Sequence, residues 1–219
     1  MELYHYLHCP YCIRIRIAWG YLGINYKSII VPYSDEETPV KLTGKKMLPI
    51  AKLENGTFKN ESLAIILATD KDNKLQIEGF LGSSRQSKVE EVIASFSPSL
   101  FNLVMPFFAL SGEFTLKDRQ YFVEKKSISR GPFDVLINNA EKFKAEIFLL
   151  LEKVENHLKP YFESEVFRVE DVVLASHLWG LYWVPEFQFS DKLQRYLEMI
   201  KKESHFNPWK DYGQFFHFK

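Results

Sequence analysis

The chain has 219 residues, enough for one large domain or two small ones, and its 28 Lys and Arg are balanced by 28 Asp and Glu. That balance gives no electrostatic reason to expect nucleic acid or an anionic membrane as the main partner. No basic, apolar leader opens the chain, and no apolar run approaches the ~20 residues of a spanning helix; the longest, Leu100–Leu110, is interrupted by Asn102 and Pro106.

Residues 2–7 predict a first strand, and directly after it stand the two cysteines of the chain, in His8-Cys9-Pro10-Tyr11-Cys12. A Cys-x-x-Cys pair between a strand and a helix suits thiol–disulfide chemistry. A thiolate at a helix N-terminus gains from unpaired backbone N–H groups and the positive end of the helix dipole, and proline is well placed at the first helical position. Cys9 is therefore expected to attack and Cys12, one turn deeper, to resolve. Half of a zinc site is the competing reading, but it needs two more ligands, and the histidines show no ligand spacing after the pair. Two structural cysteines remain a third reading. Without an export signal, two cysteines suit a reducing cytoplasm in which a dithiol cycles.

The next stretch is ambiguous. Ile13-Arg14-Ile15-Arg16-Ile17 alternates like a strand, whereas Ile13, Ile17, Ala18 and Tyr21 keep helical spacing and Gly23 makes a stop. Its place after the cysteines favours a helix over 11–22, with Arg14 and Arg16 on different sides as solvated surface. A second strand follows over 26–31, then a short helix over 39–43, and a third strand over 51–53. Asn55-Gly56 marks a tight turn to a returning strand over 57–60, and Glu61-Ser62 opens an apolar helix, Leu63–Ala68.

This order, with Cys-x-x-Cys after the first strand and Pro49 entering the third, resembles the thioredoxin fold. Cys9-Pro10-Tyr11-Cys12 resembles the glutaredoxin motif, Leu48-Pro49 the X-cis-Pro of that fold, and Glu61-Ser62 the acidic–serine pair of glutathione-binding relatives. The resemblance implies roles for each. Leu48 would pair its backbone with the cysteinyl unit of glutathione, as a one-residue strand addition. Glu61 would accept from the γ-glutamyl ammonium, and Ser62 with nearby N–H groups would hold its carboxylate. Pro10 and Tyr11 would border the thiol. Taken singly, Pro49 also reads as a loop proline, Glu61-Ser62 as a helix cap and Tyr11 as a surface residue.

Residues 73–86, with Gly79, Gly82, Ser83 and Ser84, read as a linker, and strand patterns vanish beyond it. Helices are expected over 87–96, broken by Pro98, then over 100–110, 115–129, a clear apolar stripe from Phe143 to Leu158, 170–179 and 191–202. The chain thus divides into a thioredoxin-like α/β domain over 1–72, a linker, and an all-α domain over 87–219. This is the glutathione transferase-like architecture, and with the cysteine motif it is similar to the two-domain bacterial glutaredoxin 2 family. Tyr121-Phe-Val-Glu-Lys-Lys126 and Gly131-Pro132-Phe133 carry the resemblance into the helical half, where it fades after about Leu158. One departure concerns folding: Arg168 stands where such chains place a hydroxyl helix cap three residues before Asp171.

The resemblance implies a glutathione-dependent thiol–disulfide oxidoreductase, a monomer with no bound cofactor or metal, using glutathione as co-substrate and glutathionylated or disulfide-bonded proteins as partners. Two alternatives stand beside it. One is a cysteine-type glutathione transferase or dehydroascorbate reductase, whose apolar acceptor site Phe107, Phe108, Trp179, Trp183 and Trp209 would line if they are not core. The other is a glutathione-binding or iron–sulfur protein with Cys9 as ligand, which family experience disfavours for a proline after the first cysteine.

Overall fold

The structure, a computed structural model, describes residues 1–207. Four short strands, β1 (Glu2–His5), β2 (Lys27–Ile30), β3 (Ile50–Lys52) and β4 (Phe58–Lys59), form one sheet in the order β2-β1-β3-β4. β1 is parallel to β2 and antiparallel to β3, so Leu3 lies opposite Ser28 on one side and Ala51 on the other. A parallel pair needs a crossover, and α1 (Pro10–Tyr21) supplies it. α2 (Glu37–Thr43) follows β2, and α3 (Ser62–Thr69) follows the hairpin. The hairpin turns at Asn55-Gly56 as expected. Leu53 N–H donates to the Thr57 carbonyl at 2.9 Å, and Gly56 takes φ +82°, which favours glycine. The strands are shorter than the apolar runs suggested, because residues 6–8 leave the ladder and turn toward the helical domain.

That domain contains α4 (Ser84–Phe108), α5 (Leu116–Arg130), α6 (Phe133–Asn138), α7 (Ala140–Glu155), α8 (Val169–Leu178), a 3-10 turn over Trp179–Trp183, and α9 (Asp191–Ser204). The expected break at Pro98 is absent: α4 runs through Pro98 and Pro106, starting inside the stretch expected to be a linker. Proline removes one backbone bond. Here Val89, Ile93, Phe96, Leu100, Leu103 and Val104 are buried against neighbouring helices, and that packing carries the helix across the gap. The continuous helix is long and apolar enough, by length and composition, to cross a membrane, which the interrupted reading missed. α6 was also unforeseen. α5 opens with a reciprocal cap, Thr115 with Asp118, and Asp118 also accepts from Ser34 N–H at 2.8 Å. At α8, Asp171 accepts from the backbone N–H of Arg168 at 2.9 Å and of Phe162 at 2.7 Å, so half of a capping box survives without the hydroxyl.

α1 is the shared element. It packs on α3 from its own domain and on α8 and α9 from the other. Ile13, Ile15 and Ile17 are all fully buried, which explains a strand-like alternation on a helix: a helix covered on most sides needs apolar residues on most sides. The arginines between them are not solvated, contrary to expectation. Arg14 is 6 % exposed and donates to Ser62 Oγ at 3.1 Å; Arg16 is partly buried with its guanidinium 4.6 Å from the Phe206 ring centroid. At Gly20 the backbone meets the end of α9, and a Cβ there would fall 1.8 Å from the Ser204 carbonyl oxygen. Gly20→Ala is therefore expected to cost about 2 kcal/mol through a clash with backbone rather than with a movable side chain. Urea unfolding checks this; an unchanged midpoint would show that the α1–α9 contact can open without cost.

Candidate active site

The chain leaves β1 at His5 and enters α1 at Pro10, so Cys9 caps the helix in extended conformation (φ −76°, ψ 122°) with Pro10 at its first turn. The Cys9 carbonyl accepts from Cys12 N–H at 3.0 Å and Ile13 N–H at 2.9 Å, which starts the helix and leaves the side chain at its mouth. Cys9 is partly exposed. Cys12, one turn in, is fully buried with its sulfur 3.5 Å from Tyr6 N–H, and both thiols are free.

The two sulfurs are set apart electrostatically. Cys9 is brought down from the ordinary thiol range to about 7, chiefly by a hydrogen bond from the Cys12 thiol. Burial opposes this; the His8 charge and the Cys12 and Tyr11 backbone N–H groups add to it. Cys12 is pushed up, first by burial and then by the same bond seen from its donor side. One thiol is thus readily ionised and the other holds its proton.

A cavity of about 400 Å³ opens over Cys9, at the seam between the domains. Cys9, Pro10, Tyr11 and Leu48 line one side, and Leu48-Pro49 is joined by a cis peptide bond. Tyr11 is 49 % exposed, with Arg14 4.9 Å from its ring centroid and His177 edge-on at 5.9 Å. Glu61 and Ser62 lie outside the cavity wall. Glu61 is exposed and caps α3 at φ +65°, a backbone conformation costly for a non-glycine residue, with no side-chain cap bond. Ser62 is buried against Arg14.

Apart from Phe108, the opposite wall is built by residues that no motif singled out. Phe101, Met105 and Phe108 of α4 and Phe122 of α5 make it apolar, while Lys126 and Arg130, one turn apart on α5, add two cations. Lys126 is pulled below the usual lysine range by burial. Lys46 reaches in from the N-terminal domain and is shared with Glu36 and the Tyr121 hydroxyl. Of the aromatics expected to line an acceptor site, Phe108 does so, Phe107 does not and packs partly buried against the core, Trp179 and Trp183 are core, and Trp209 lies outside the described residues. His8 also borders the cavity, a position that the lack of ligand spacing among the histidines does not reveal. Its partner Glu113 is 105 positions away, and no local pattern pairs them.

A small α/β sheet domain, a helical partner and a cysteine at the head of the first helix define a protein of the glutathione transferase-like class. The model of the glutathione S-transferase N-terminal domain matches residues 3–73, and that of the glutaredoxin 2 C-terminal domain matches residues 88–211. The chain belongs to the glutaredoxin 2 family. Glutaredoxin 2 of Escherichia coli K12 is 28 % identical over 211 residues, covering 94 % of this chain and 97 % of its own. The crystal structure of glutaredoxin 2 from Salmonella typhimurium in complex with glutathione is 27 % identical, with a TM-score of 0.84 over 95 % of this chain and 96 % of that one. A Phanerochaete chrysosporium glutathione transferase, 16 % identical, shares the fold with a TM-score of 0.76 over 94 % and 97 % of the chains.

Because Cys9 loses its proton near 7, its alkylation rate is expected to rise with pH along one titration centred there: slow below, where the thiol dominates, and level above, where the thiolate does. Iodoacetamide labelling of the reduced native protein, read on separate Cys9 and Cys12 peptides, measures it. Cys12 should stay unlabelled throughout; a Cys9 midpoint above ~8, the range of an ordinary thiol, would contradict the assignment.

Proposed function

We propose that the protein is a glutathione-dependent thiol–disulfide oxidoreductase that uses the Cys9-Pro10-Tyr11-Cys12 dithiol to reduce protein–glutathione mixed disulfides and protein disulfides. The observation that carries the reading is the asymmetry of the two thiols. A partly exposed Cys9 brought down to about 7 faces a cavity, while a buried Cys12 keeps its proton beside it. A low-pKa thiol is both largely ionised at neutral pH and a good leaving group, so exchange runs in either direction. The glutathione bound in the Salmonella relative supports the choice of co-substrate.

In the proposed reaction the Cys9 thiolate attacks the glutathione sulfur of a glutathionylated protein. The protein–glutathione S–S bond breaks, the target leaves as a thiolate and takes a proton from water, and Cys9 now carries glutathione. The thiolate of a second glutathione attacks that glutathione sulfur, releasing oxidised glutathione and restoring the Cys9 thiolate. Where the target is a protein disulfide, the Cys9 thiolate first attacks one of its sulfurs, breaking the target S–S bond and leaving a Cys9–target mixed disulfide; Cys12 then gives up its proton and attacks the Cys9 sulfur, breaking that bond and freeing the reduced target. One glutathione thiolate opens the resulting Cys9–Cys12 bond to give glutathionylated Cys9 and the Cys12 thiol, and a second removes it as oxidised glutathione.

Within this reading Leu48, beside the cis Pro49, offers its backbone to the cysteinyl unit of glutathione, and Pro10 and Tyr11 border the sulfur. Glu61 accepts from the γ-glutamyl ammonium, and Ser62, backed by the Arg14 guanidinium, holds the carboxylate. The strained backbone of Glu61 supports a role beyond capping, since glycine would relieve it. Lys126 and Arg130 face the cavity as cations suited to carboxylates of the bound peptide. The protein is proposed to work as a cytoplasmic monomer. The apolar wall of Phe101, Met105 and Phe108 favours one second reading, transfer of glutathione to an apolar electrophile, which chlorodinitrobenzene turnover would reveal.

Glutathione-dependent reduction of a glutathione–hydroxyethyl mixed disulfide, coupled to glutathione reductase, tests the main reading. Cys9→Ser should lose essentially all turnover, and Cys12→Ser should retain a substantial part of it while losing reduction of protein disulfides. Turnover in the Cys9 variant would contradict the mechanism.

A further inference from the structure

The loop that presents Cys9 is gripped from the other domain by one carboxylate. Glu113, in the α4–α5 connection, has a side chain only 1 % exposed. Its Oε2 accepts from the backbone N–H of Leu7 at 2.8 Å, and its Oε1 lies 2.5 Å from His8 Nδ1. These are the two residues immediately before the nucleophile. Ser111 Oγ in turn donates to Glu113 at 3.5 Å and accepts from its backbone N–H at 3.3 Å. The His8 ring is walled by aromatic rings from both domains: Tyr6 stacks at 5.6 Å, and Phe108, Phe114 and Phe122 meet it at 5.2, 5.1 and 5.5 Å.

A carboxylate buried this deeply is costly unless a cation and hydrogen bonds meet it. Glu113 nevertheless lies below the ordinary carboxylate range: burial opposes this, and the His8 charge, the His8 bond and the Leu7 N–H overcome it. The same carboxylate fixes the orientation of the His8 imidazole through its Nδ1. The titratable groups around Cys9 are Cys12, Tyr6, Tyr33, Arg14 and Lys126 besides His8, with Tyr11, Lys46 and Arg130 lining the same cavity, and His8 is the charge that acts on it most strongly. Glu113 itself faces His8, Ser111 and, more distantly, His5, which burial keeps neutral with a pKa of about 3.

We propose that Glu113 is a positioning residue of the helical domain, acting through His8: its carboxylate clamps the Leu7 backbone and the His8 imidazole and so fixes that ring beside Cys9, and docking of the helical domain thereby sets the reactivity of the thiol. This rests on Cys9 being the reactive thiol of the proposed oxidoreductase, and it assigns the helical domain a part in the chemistry beyond walling the cavity. It also explains why the strand ends at His5: the N–H of Leu7 is committed to the other domain.

The test is the pH midpoint of Cys9 alkylation in the full chain, which needs no glutathione turnover and so fails independently of the proposed function. Glu113→Gln keeps the shape and an acceptor for Leu7 but removes the charge; His8→Asn removes the imidazole. Both should raise the midpoint, by on the order of one pH unit or a tenfold loss of thiolate. Because Glu113 acts through His8, the double variant should move no further than His8→Asn alone. Should Glu113→Gln unfold the protein, Glu113→Asp, which keeps the charge on a shorter arm, gives the complementary arm: a midpoint near that of the wild type is expected. An unmoved or lowered midpoint in folded Glu113→Gln, additive shifts in the double variant, or a raised midpoint in folded Glu113→Asp as large as in His8→Asn would overturn the proposal.

Discussion

Helix α1 must be buried along its length and open at its first residue. Its isoleucines meet α3 on one side and α8 and α9 on the other, and Gly20 touches the backbone of α9, so the helix is held by both domains. The sulfur at its mouth therefore cannot be adjusted by moving the helix. Its environment comes instead from what converges there: backbone N–H groups, a second thiol and a histidine from its own domain, and the carboxylate opposite that histidine from the other. Thiol–disulfide chemistry needs a sulfur that a partner can reach and that is held better as thiolate than as thiol, and the seam between two domains around a shared helix provides such a place.

The same constraint separates the two cysteines. They differ by one turn of helix, but that turn carries Cys12 from the cavity into the core, where Tyr6 N–H meets its sulfur. Desolvation then acts on the two with unequal force. The bond between them favours charge on the outer sulfur, because the inner one retains the proton to donate. One readily ionised thiol and one that holds its proton thus follow from depth and the bond between the two.

Much of this was legible locally. The Cys9–Cys12 spacing, the Asn55-Gly56 turn and the α7 stripe each encode their structure within a few residues, and the order of elements through Ser62 leaves little freedom of fold. What escaped was set by contacts distant in sequence. Arg14 read as surface because a helix gives no sign of being covered on its far side. His8 and Glu113 meet only after the domains dock. Pro98 read as a break because a proline's local cost is visible in sequence, whereas the packing that offsets it is not. Lys126 and Arg130 had no site role in a charged amphipathic run whose cavity-facing side depends on how α5 sits against α4.

The account stands on Cys9 forming a covalent bond to glutathione. Intact-mass analysis of the Cys12→Ser protein after exposure to oxidised glutathione tests this directly, since Cys9 is then the one cysteine in the chain. A single added glutathione, lost on treatment with reduced glutathione, is the predicted result. A folded protein that takes up none, or one whose adduct reduced glutathione cannot remove, would contradict the account.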